Sequence, residues 1–384
     1  MAAEAQKLAA QGVRVFPFSV GEPDFPTPGH IVDAAKRALD QGATRYTHPT
    51  GTPELKQAVC EATKRHRGFD LTPDRVVVSC GAKHALFNVA AALYGPGDEV
   101  IVPAPYWVSY PEQVRLFGAT AVIAHTDAES GFVLTPEELE RRISPRTKAL
   151  ILCSPSNPTG AAYSREQLLA LAEVVRRHDF WVVVDEIYAD LVYGGFEHHS
   201  LAALAPDLSD RLIVIDGVSK SFAMTGWRIG WSIAPPALSK ALGTIQSQST
   251  TNPAAVSQAA AIAALTGPRD ALEQMRQAFE KRRGIMIDGL NALPGVRASL
   301  PVGAFYAFPE VRGLIGKRFQ GKPLSNDLDV AMYLLREAHA AVVAGEPFGA
   351  PGFIRLSYAC ADTDILEGLA SMRRAIDALE GDAA

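Results

Sequence analysis

The feature that most restricts the fold of this chain is a series of short, almost wholly apolar runs that alternate with helical segments. Runs of this kind are typical of strands buried on both faces, as in a mostly parallel sheet between layers of helices. The predicted strands lie at 75–79, 99–103, 120–124, 147–153, 180–185 and 212–215, with 229–234 as a further candidate. The pattern therefore predicts an α/β fold.

The part of the chain after residue 266 differs from the preceding part in composition and in hydrophobic periodicity. It is richer in charged residues and in helical periodicity, with helices expected at 326–340 and from residue 362. A strand pair is expected around 303–308 and another strand at 353–358. We interpret this part as a smaller α+β domain. The predicted boundaries are 30–265 for the large domain, and 1–29 together with 266–384 for the small domain.

Local signals mark where several helices begin and end. Residues 30–40 have helical spacing, Thr52 before Pro53 predicts the start of a second helix, and Gly68 predicts its end. A helix is also expected at 84–93. Two further helices are expected to begin with capping boxes, in which each of two side chains bonds the other residue's backbone. These boxes are Thr135 with Glu138 and Ser164 with Gln167.

Composition excludes several classes of function. The 384 residues are 48% hydrophobic and 21% charged, which is ordinary for a globular enzyme, and the formal net charge is −5. An acidic balance gives no reason to expect nucleic acid or an anionic membrane surface as a partner. No apolar run approaches the ~18–20 residues of a membrane-spanning helix. We therefore expect neither nucleic acid nor a membrane as partner.

The cysteines and the N-terminal residues bear on the compartment. The four cysteines, Cys60, Cys80, Cys153 and Cys360, are scattered without a C-x-x-C pair, so neither a zinc site nor a disulfide framework is expected. The first residues show no basic stretch followed by an apolar one, so no secretory signal is expected. A cytoplasmic location is the resulting prediction.

Polar residues follow the predicted strands at the points where the strands end. The carboxyl ends of parallel strands meet at one edge of a sheet, where ligands of such sheets bind. The residues in question are Gly81-Ala82-Lys83 after 75–79, Asn157 after 147–153, Asp185 and Tyr188 after 180–185, and Ser219-Lys220 with Arg228 after 212–215. We expect these groups to surround one crevice.

Together, these groups could bind and activate a single cofactor. A lysine beside apolar bulk, such as Lys220, can form an imine, and a buried carboxylate such as Asp185 can keep a ring nitrogen protonated. Asparagine and tyrosine can donate to a phenolate oxygen, while helix-terminal amides and an arginine can hold a phosphate. These are the requirements of pyridoxal 5′-phosphate.

On these residues the chain resembles the class I/II aminotransferases, pyridoxal-phosphate enzymes of fold type I, and within them the bacterial aspartate aminotransferase subgroup. The matching stretches occur in the family's order over nearly the whole chain. They are Gly21-Glu22-Pro23-Asp24-Phe25, Tyr46 with Gly51-Thr52-Pro53-Glu54-Leu55, Pro105-Tyr106-Trp107-Val108-Ser109-Tyr110-Pro111, Ser156-Asn157-Pro158-Thr159-Gly160, Asp185-Glu186-Ile187-Tyr188, Ser219-Lys220 through Trp227-Arg228-Ile229-Gly230, and Arg355-Leu356-Ser357-Tyr358.

The resemblance implies how each residue meets the cofactor. Lys220 would form the Schiff base and then move the proton of the substrate α-carbon. Asp185 would face the pyridine nitrogen, Trp107 would stack on the ring, and Tyr188 and Asn157 would bond the ring oxygen. The implied phosphate contacts are Gly81, Ala82, Lys83, Ser219 and Arg228. Tyr46 would reach the phosphate from the neighbouring subunit, which implies a homodimer with its active site at the subunit interface.

The resemblance also implies the substrate contacts. Arg355 would grip the α-carboxylate with both nitrogens of its fork, helped by Gly21 and Asn157, with Trp107 alongside. Lys83 matches a lysine that meets the distal carboxylate in the aspartate-using subgroup, where relatives that handle aromatic or neutral amino acids tend to have uncharged residues. A single ammonium at a water-accessible site discriminates by ~1–3 kcal/mol.

Each of these roles has a structural alternative. Asp185 could cap the helix after its strand, and Trp107 and Tyr188 could be ordinary buried aromatic residues. Arg355 could be a salt-bridge partner, and Lys83 a surface lysine near the phosphate. The pair His198-His199 lies in a polar loop, is expected to be exposed to solvent, and receives no role.

The sequence departs from the family pattern in two places. Many relatives have Ser or Thr three residues before the lysine as a phosphate ligand, whereas this chain has Gly217, and Ser219 could compensate. Relatives also usually have a further N-terminal segment that covers the site and recognises the distal group of the substrate. Either the start is truncated, or the enzyme uses a more open site.

The function predicted from these features is a ping-pong transfer of an α-amino group between a dicarboxylic amino acid, aspartate or glutamate, and a 2-oxo acid. Three alternatives remain open at this point. The first is a pyridoxal-phosphate lyase, decarboxylase or oxidase, and the second is an aminotransferase for aromatic or neutral amino acids. The third is a non-enzymatic sensor domain, although the sequence shows no helix-turn-helix or basic extension that such a regulator needs.

Overall fold

A computed structural model describes residues 2–381 of the chain, and its centre is a seven-stranded sheet. The strands are β1 (Val76–Ser79), β2 (Glu99–Ala104), β3 (Thr120–His125), β4 (Thr147–Cys153), β5 (Trp181–Asp185), β6 (Leu212–Gly217) and β7 (Gly230–Ile233). Their order across the sheet is β1-β7-β6-β5-β4-β2-β3. All the predicted large-domain strands are present, with small differences at their ends.

The sheet is mostly parallel, as predicted. Strands β2 to β6 pair in parallel with one another, whereas β7 runs antiparallel to both of its neighbours, β6 and β1. Because β1 and β6 both oppose β7, they point the same way. The carboxyl ends of β1, β2, β4, β5 and β6 therefore lie along one edge of the sheet, where the polar residues that follow them are gathered.

Helices cover both faces of this sheet. The helices of the described chain are α1 (Ala2–Ala10), α2 (Gly29–Asp40), α3 (Pro53–Arg67), α4 (Ala82–Leu93), α5 (Ser109–Leu116), α6 (Pro136–Arg142), α7 (Arg165–Arg176), α8 (Leu201–Leu204), α9 (Pro236–Ser249), α10 (Ala255–Thr266), α11 (Asp270–Asn291), α12 (Asp327–Glu337) and α13 (Asp362–Asp377). Helix α4 begins at Ala82, slightly before the predicted start, so Lys83 belongs to its first turn.

Alternate residues of the central strands explain why the runs are apolar throughout. Val182 and Val184 of β5 pack in the cluster that contains Leu171 of α7. Val183, between them, packs on the opposite face in the cluster that contains Val89 of α4. Successive side chains of a strand point to opposite faces, so a sheet covered on both faces requires an apolar residue at every position.

The signals for α3 and α7 are confirmed. The hydroxyl of Thr52 accepts the N–H of Leu55 at 3.3 Å, and Gly68 ends α3 in the left-handed region with φ of 80°. The capping box of Ser164 and Gln167 is complete at the start of α7.

The second predicted capping box is wrong. Thr135 does accept the N–H of Glu138 at 3.3 Å, but the carboxylate of Glu138 does not bond back to the backbone of Thr135. It accepts instead from Arg142 Nε at 2.7 Å, and it also pairs with Arg141. The charged partners within the same short helix take the side chain that the box would need.

The C-terminal part contains two small antiparallel sheets. Its strands are β8 (Tyr306–Ala307), β9 (Arg318–Phe319), β10 (Lys322–Pro323), β11 (Val343–Ala344) and β12 (Ile354–Ser357). Strand β12 lies between β11 and β8, and β9 pairs with β10. The predicted strand pair around 303–308 is wrong, because that segment provides one strand, β8, whose partner is β12.

The N-terminal segment packs against these C-terminal elements. Phe16 and Phe18 belong to the same apolar cluster as Phe279 of α11 and Val330 of α12. The backbone N–H of Phe16 donates to the carbonyl oxygen of His339 at 2.8 Å. Residues before α2 are therefore held next to residues more than three hundred positions later, at the side of the molecule where the strands of the large sheet end.

The cysteines lie in the described part of the chain and are all free, with Cys60 and Cys360 buried. Within residues 2–381, no helix combines the length and the apolar character required to cross a membrane.

Candidate active site

A cavity of about 470 Å³ lies at the carboxyl edge of the parallel strands, beside β8 and β12. All the predicted site residues except Gly81 and Tyr46 line this cavity. These lining residues are Gly21, Ala82, Lys83, Trp107, Asn157, Asp185, Tyr188, Ser219, Lys220, Arg228 and Arg355. They come from seven separate segments of the chain, and the fold brings them together.

Lys220 lies in the turn that follows β6. Its Nζ donates to the carbonyl oxygen of Gly21 at 2.6 Å, and it lies 5.8 Å from the ring centroids of both Tyr188 and Phe305. Burial lowers the pKa of this amine to about 8, although the carboxylate of Glu22 acts in the opposite direction. A larger fraction of Lys220 is thus neutral, and able to act as a base or nucleophile, than of an exposed lysine.

Asp185 ends β5 and is only 2% exposed. Its Oδ2 accepts from the hydroxyl of Tyr110 at 2.8 Å, and its Oδ1 accepts from the backbone N–H of Ile187 at 3.1 Å. Burial raises the pKa of this carboxyl to about 6, while the two hydrogen bonds oppose the shift. The bond from Ile187 belongs to the turn that follows β5, and the next helix of the described chain begins only at Leu201, so Asp185 is not a helix cap and lines the cavity.

Arg355 lies on β12 and is 8% exposed. Its Nη1 donates to Oδ1 of Asn157 at 2.9 Å and its Nη2 donates to the carbonyl oxygen of Ser19 at 3.0 Å. No carboxylate pairs with it among the described residues, so the salt-bridge alternative is not what the structure shows. Its buried Nε has no hydrogen-bond partner in the described part of the chain.

The start of α4 and Arg228 form the cationic end of the cavity. The first amides that bond within α4 are those of His84 and Ala85, which donate to the carbonyl oxygen of Gly81 at 3.0 and 3.2 Å. The amides of Ala82 and Lys83 precede them, and such groups at a helix N-terminus suit an anion.

Gly81 makes room for the arginine at this end. A Cβ at Gly81 would lie 2.7 Å from Nη2 of Arg228, and Gly81 has φ of 90°, so a larger residue there would displace the guanidinium. Arg228 itself adopts φ of 58° and donates from Nη1 to the carbonyl oxygen of Thr225 at 2.7 Å. Gly81 thus lies behind Arg228 instead of on the cavity wall.

Lys83 and Trp107 lie together at one side of the cavity. The Nζ of Lys83 lies 4.7 Å from the centroid of the Trp107 ring. Trp107 packs edge-on against Tyr110, with ring centroids 5.5 Å apart. A cation over an aromatic face is held by the ring quadrupole while its polar end stays accessible.

Ser219, a predicted phosphate contact, and Gly217, which stands where many relatives have a Ser or Thr ligand, differ in their relation to the cavity. Ser219 is 7% exposed and lines the cavity beside Lys220. Gly217 does not line it, and a Cβ at this position would lie 2.9 Å from the Cα of Gly230 and 3.0 Å from the carbonyl oxygen of Ile229. The close approach of β6 and β7 therefore accounts for glycine at this position.

Tyr46 lies away from the cavity and is 87% exposed in the single chain. A large aromatic side chain this exposed, in a loop next to α3, has no role that the single chain can account for.

The structure adds cavity residues that sequence reasoning did not single out. They are Val20, Glu22, Tyr110, Cys153, Ile187, Thr225 and Tyr306. Tyr110 lies in the first turn of α5, and its backbone N–H donates to the carbonyl oxygen of Trp107 at 3.0 Å, so closeness in sequence to Trp107 is a signal that could have been used. Tyr306 had no such signal, because its partner Tyr188 lies 118 positions earlier and is reached only through tertiary packing.

The expected exposure of His198 is wrong. Its side chain is 6% exposed, and its Nε2 lies 3.5 Å from Oε2 of Glu186, whose side chain is fully buried. The Nε of Arg67 lies 3.8 Å from the same oxygen. His198 therefore packs beside a buried carboxylate instead of facing solvent.

Comparison with known proteins identifies the family. Residues 13–372 match the family model for aminotransferase class I and II. The chain is 48% identical over 372 residues to a protein from Cereibacter sphaeroides named aspartate/prephenate aminotransferase. The matched region covers 96% of this chain and 93% of that protein.

Solved structures give the same answer. The aspartate aminotransferase from Rhizobium meliloti matches with a TM-score of 0.96 and 44% identity, covering 99% of this chain and 95% of that one. The aspartate aminotransferase from Thermus thermophilus with maleate matches with a TM-score of 0.91 and 44% identity, covering 97% and 95%. The chain belongs to the class I and II aminotransferase family, and its fold is fold type I.

The cavity fits the cofactor of this family, pyridoxal 5′-phosphate. It presents a lysine amine of lowered pKa, a buried carboxylate for a ring nitrogen, and an arginine with free helix amides for a phosphate. The protein is a pyridoxal-phosphate-dependent aminotransferase that moves an α-amino group between an amino acid and a 2-oxo acid. A non-enzymatic sensor domain is not what the comparisons indicate.

Proposed function

We propose that the protein is an aspartate aminotransferase, with aspartate or glutamate as amino donor and the corresponding 2-oxo acids as acceptors. The observation that carries this proposal is that the cavity holds two cations, Arg355 and Lys83, in addition to the Lys220 and Arg228 that are assigned to the cofactor. A dicarboxylic amino acid has two carboxylates to place, and each requires a cationic partner when it leaves water.

When bound, pyridoxal phosphate supplies an electrophilic carbonyl carbon and an electron sink. The groups of the chain that would hold it are those already described. Asp185 would meet the ring nitrogen, Tyr188 and the amide nitrogen of Asn157 the ring oxygen, and Trp107 the ring face. The groups proposed for the phosphate are Arg228, Ser219, the amides of Ala82 and Lys83, and Tyr46 of the partner subunit.

Asp185 and Tyr110 would act together in this arrangement. The hydroxyl of Tyr110 holds Oδ2 of Asp185, and the backbone N–H of Ile187 holds Oδ1. A carboxyl buried at 2% exposure with a raised pKa gains a charge partner when a protonated ring nitrogen faces it. Burial of that pair makes its interaction stronger than in water.

Lys220 would bind the cofactor covalently and then carry the proton of the substrate α-carbon. The amine must be neutral for both tasks, and a pKa of about 8 makes it neutral in about one molecule in ten at pH 7. The carbonyl oxygen of Gly21 holds it by a single neutral hydrogen bond, so no carboxylate partner fixes its charge.

Arg355 would bind the α-carboxylate of the substrate. Both of its terminal nitrogens are already oriented by Asn157 and Ser19, which keeps the guanidinium plane fixed before a ligand arrives. A fixed planar fork matches a carboxylate bidentately and loses little entropy on binding. Gly21 and Asn157 line the same cavity, and the oxygen of the Asn157 amide accepts from Arg355 while its nitrogen remains for the cofactor.

Lys83 would meet the distal carboxylate. Its ammonium lies over the ring of Trp107, at a position where an uncharged residue would favour aromatic or neutral substrates. A structure of the Thermus thermophilus relative contains maleate, a dicarboxylate, which supports the same substrate class for this chain.

Prephenate is a second candidate amino acceptor. Two relatives, at 48% and 44% identity, are named aspartate/prephenate aminotransferase. Prephenate also carries two carboxylates, so the same pair of cations, Arg355 and Lys83, would serve it.

The assembly and location are proposed on separate grounds. We propose a homodimer in which the exposed Tyr46 of one subunit reaches the phosphate of the other. Four free cysteines fit a reducing compartment, and we propose a cytoplasmic enzyme. The proposed domains are 30–265 and, in the second domain, 1–29 with 266–384, since Phe16 and Phe18 share an apolar cluster with α11 and α12.

A panel of amino donors tests the proposal. Aspartate, glutamate, phenylalanine and alanine would each be assayed with the appropriate 2-oxo acid, and prephenate would be assayed with aspartate as donor. We expect kcat/KM to be highest for the dicarboxylic donors. Higher kcat/KM with phenylalanine or alanine would make it an aminotransferase of other specificity, and cofactor bleaching without transfer of the amino group would indicate a lyase or decarboxylase.

A further inference from the structure

We propose that Tyr306 is a positioning residue that orients the hydroxyl of Tyr188 and the guanidinium plane of Arg355 at the same time. This inference rests on the proposed function, because it takes Tyr188 to face the cofactor and Arg355 to face the substrate. Tyr306 would thereby join the two halves of the site, one on the large sheet and the other on β12.

The position of Tyr306 gives it contacts on three sides. It lies on β8, is 1% exposed, and pairs by its strand with Ser357 of β12. Its hydroxyl oxygen lies 2.8 Å from the hydroxyl oxygen of Tyr188. A Cβ at Gly21 would lie 3.2 Å from the Tyr306 hydroxyl, so the loop before Glu22 closes against it.

The hydrogen bond between the two tyrosines has a required direction once Tyr188 faces an ionised ring oxygen. A phenol has one proton, and Tyr188 must donate it to that oxygen. Tyr188 can then only accept from Tyr306, whose hydroxyl donates. A donor that itself accepts a hydrogen bond becomes stronger, so Tyr306 would strengthen the bond from Tyr188 to the cofactor.

Both phenols are protonated at neutral pH, as a hydrogen bond donated by Tyr306 to Tyr188 requires. Burial raises the pKa of Tyr188 well above its usual range, and burial likewise raises the pKa of Tyr306. Both hydroxyls therefore keep their protons at neutral pH and remain donors. The described chain offers the Tyr306 hydroxyl no protein acceptor other than Tyr188.

The ring of Tyr306 serves Arg355. The guanidinium carbon of Arg355 lies 4.5 Å from the Tyr306 ring centroid and 5.2 Å from that of Phe348. The two aromatic rings restrict the tilt of the guanidinium, while Asn157 and Ser19 restrict its rotation within its plane. The fork is thereby aimed into the cavity without a carboxylate partner that the substrate would have to displace.

Two substitutions separate the two contributions. Tyr306→Phe removes the hydroxyl and keeps the ring beside Arg355, whereas Tyr306→Leu removes both. Tyr358→Phe is the matched control, since Tyr358 is fully buried in the same apolar cluster, its hydroxyl donates to the carbonyl oxygen of Ala304 at 3.3 Å, and it does not line the cavity. Tyr188→Phe removes the hydroxyl that donates to the ring oxygen of the cofactor, and so gives the upper limit for the effect of Tyr306→Phe on that bond.

The first measurement is the pH midpoint of the visible absorbance change of bound pyridoxal phosphate in each holoenzyme. Hydrogen bonds to an ionised oxygen lower its pKa, so a weaker donor raises the midpoint. We expect Tyr306→Phe to raise it by about 0.3–1 pH unit, a roughly two- to tenfold change in the proton-dissociation constant, and Tyr188→Phe to raise it further. Tyr358→Phe should match the wild type.

The second measurement is the KM for the dicarboxylic donor. We expect Tyr306→Phe to leave KM within about twofold of wild type and Tyr306→Leu to raise it about five- to tenfold, on the scale of a lost cation–π contact. A midpoint for Tyr306→Phe equal to that of wild type, or lowered, would overturn the proposal, as would a KM unchanged in Tyr306→Leu. Failure of the proposed function has a different signature, namely a wild-type enzyme that titrates normally but does not transfer the amino group of aspartate.

Discussion

The amine of Lys220 donates a 2.6 Å hydrogen bond to the carbonyl oxygen of Gly21, 199 positions earlier in the chain. The loop that contains Gly21 is held against the C-terminal elements through Phe16 and Phe18. The N-terminal segment thus covers the lysine and supplies a neutral acceptor. Burial then dominates and lowers the pKa of Lys220 to about 8.

The rate of cofactor uptake should report this pKa. An amine attacks a carbonyl only in its neutral form. The rate at which the cofactor-free protein takes up pyridoxal phosphate should therefore rise with pH to a plateau, with the midpoint of the rise near pH 8. An ordinary lysine, with a pKa near 10.5, would be neutral in only about one molecule in three thousand at pH 7. Stopped-flow absorbance between pH 6 and 10 measures the profile, and a rate still rising tenfold per unit above pH 9 would contradict the account.

Substitution of Asp185 should reduce kcat much more than substitution of Tyr110. Asp185→Asn removes the charge opposite the ring nitrogen and should reduce kcat about 10²–10⁴-fold. Tyr110→Phe removes only the hydrogen bond to Oδ2 and should reduce kcat about three- to tenfold, the scale of one hydrogen bond. Steady-state kinetics on holoenzyme saturated with cofactor make the comparison. Equal losses in the two variants would show that Asp185 does not act through its charge.

The architecture of the large sheet was predictable because each central strand is a short, continuous apolar run that can be recognised from the local sequence. Val182, Val183 and Val184 must all be apolar when helices cover both faces, and Asp185 at the end of such a run is conspicuous. Asn157, Lys220 and Arg228 follow similar runs. Parallel topology then brings their positions to one edge without any knowledge of side-chain contacts.

What could not be predicted depends on packing between distant segments. The contact of Tyr306 with Tyr188 requires β8 to lie beside the large sheet, and neither residue's neighbours in sequence reveal it. His198 packs beside Glu186, twelve positions earlier in the chain, whereas its own neighbours Glu197 and His199 suggested solvent. Glu138 failed to complete its capping box because arginines one turn later compete for its carboxylate.

Lys83 should determine specificity more than turnover. Lys83→Met keeps the length of the side chain and removes its charge, so kcat/KM for aspartate should fall about 10- to 100-fold, the scale of a charged hydrogen bond. The value for alanine should change by less than about threefold, because alanine has no distal carboxylate. Lys83→Arg is the matched control that keeps the charge. Equal losses for both donors would place Lys83 with the cofactor instead of the substrate.

Tyr46 should act in the partner's active site. A Tyr46→Phe chain and a Lys220→Ala chain with different tags would be co-expressed, and the hybrid dimers would be purified through both tags. Each hybrid should contain one site with an intact Lys220 and the intact Tyr46 of the other chain, so its cofactor affinity and activity should reach those of one wild-type site. If the hybrid keeps the weakened cofactor binding of Tyr46→Phe, Tyr46 acts within its own chain.

The central claim is that Lys220 carries the cofactor covalently, and borohydride reduction of the holoenzyme tests it most directly. Reduction fixes the cofactor to the lysine that holds it, and peptide mass spectrometry then locates the added mass. We predict that the mass is found on the peptide that contains Lys220 and is absent from that of Lys83, and that Lys220→Ala takes up none. A label on another lysine of the active wild-type enzyme, or an active enzyme with Lys220 unlabelled, would contradict the account.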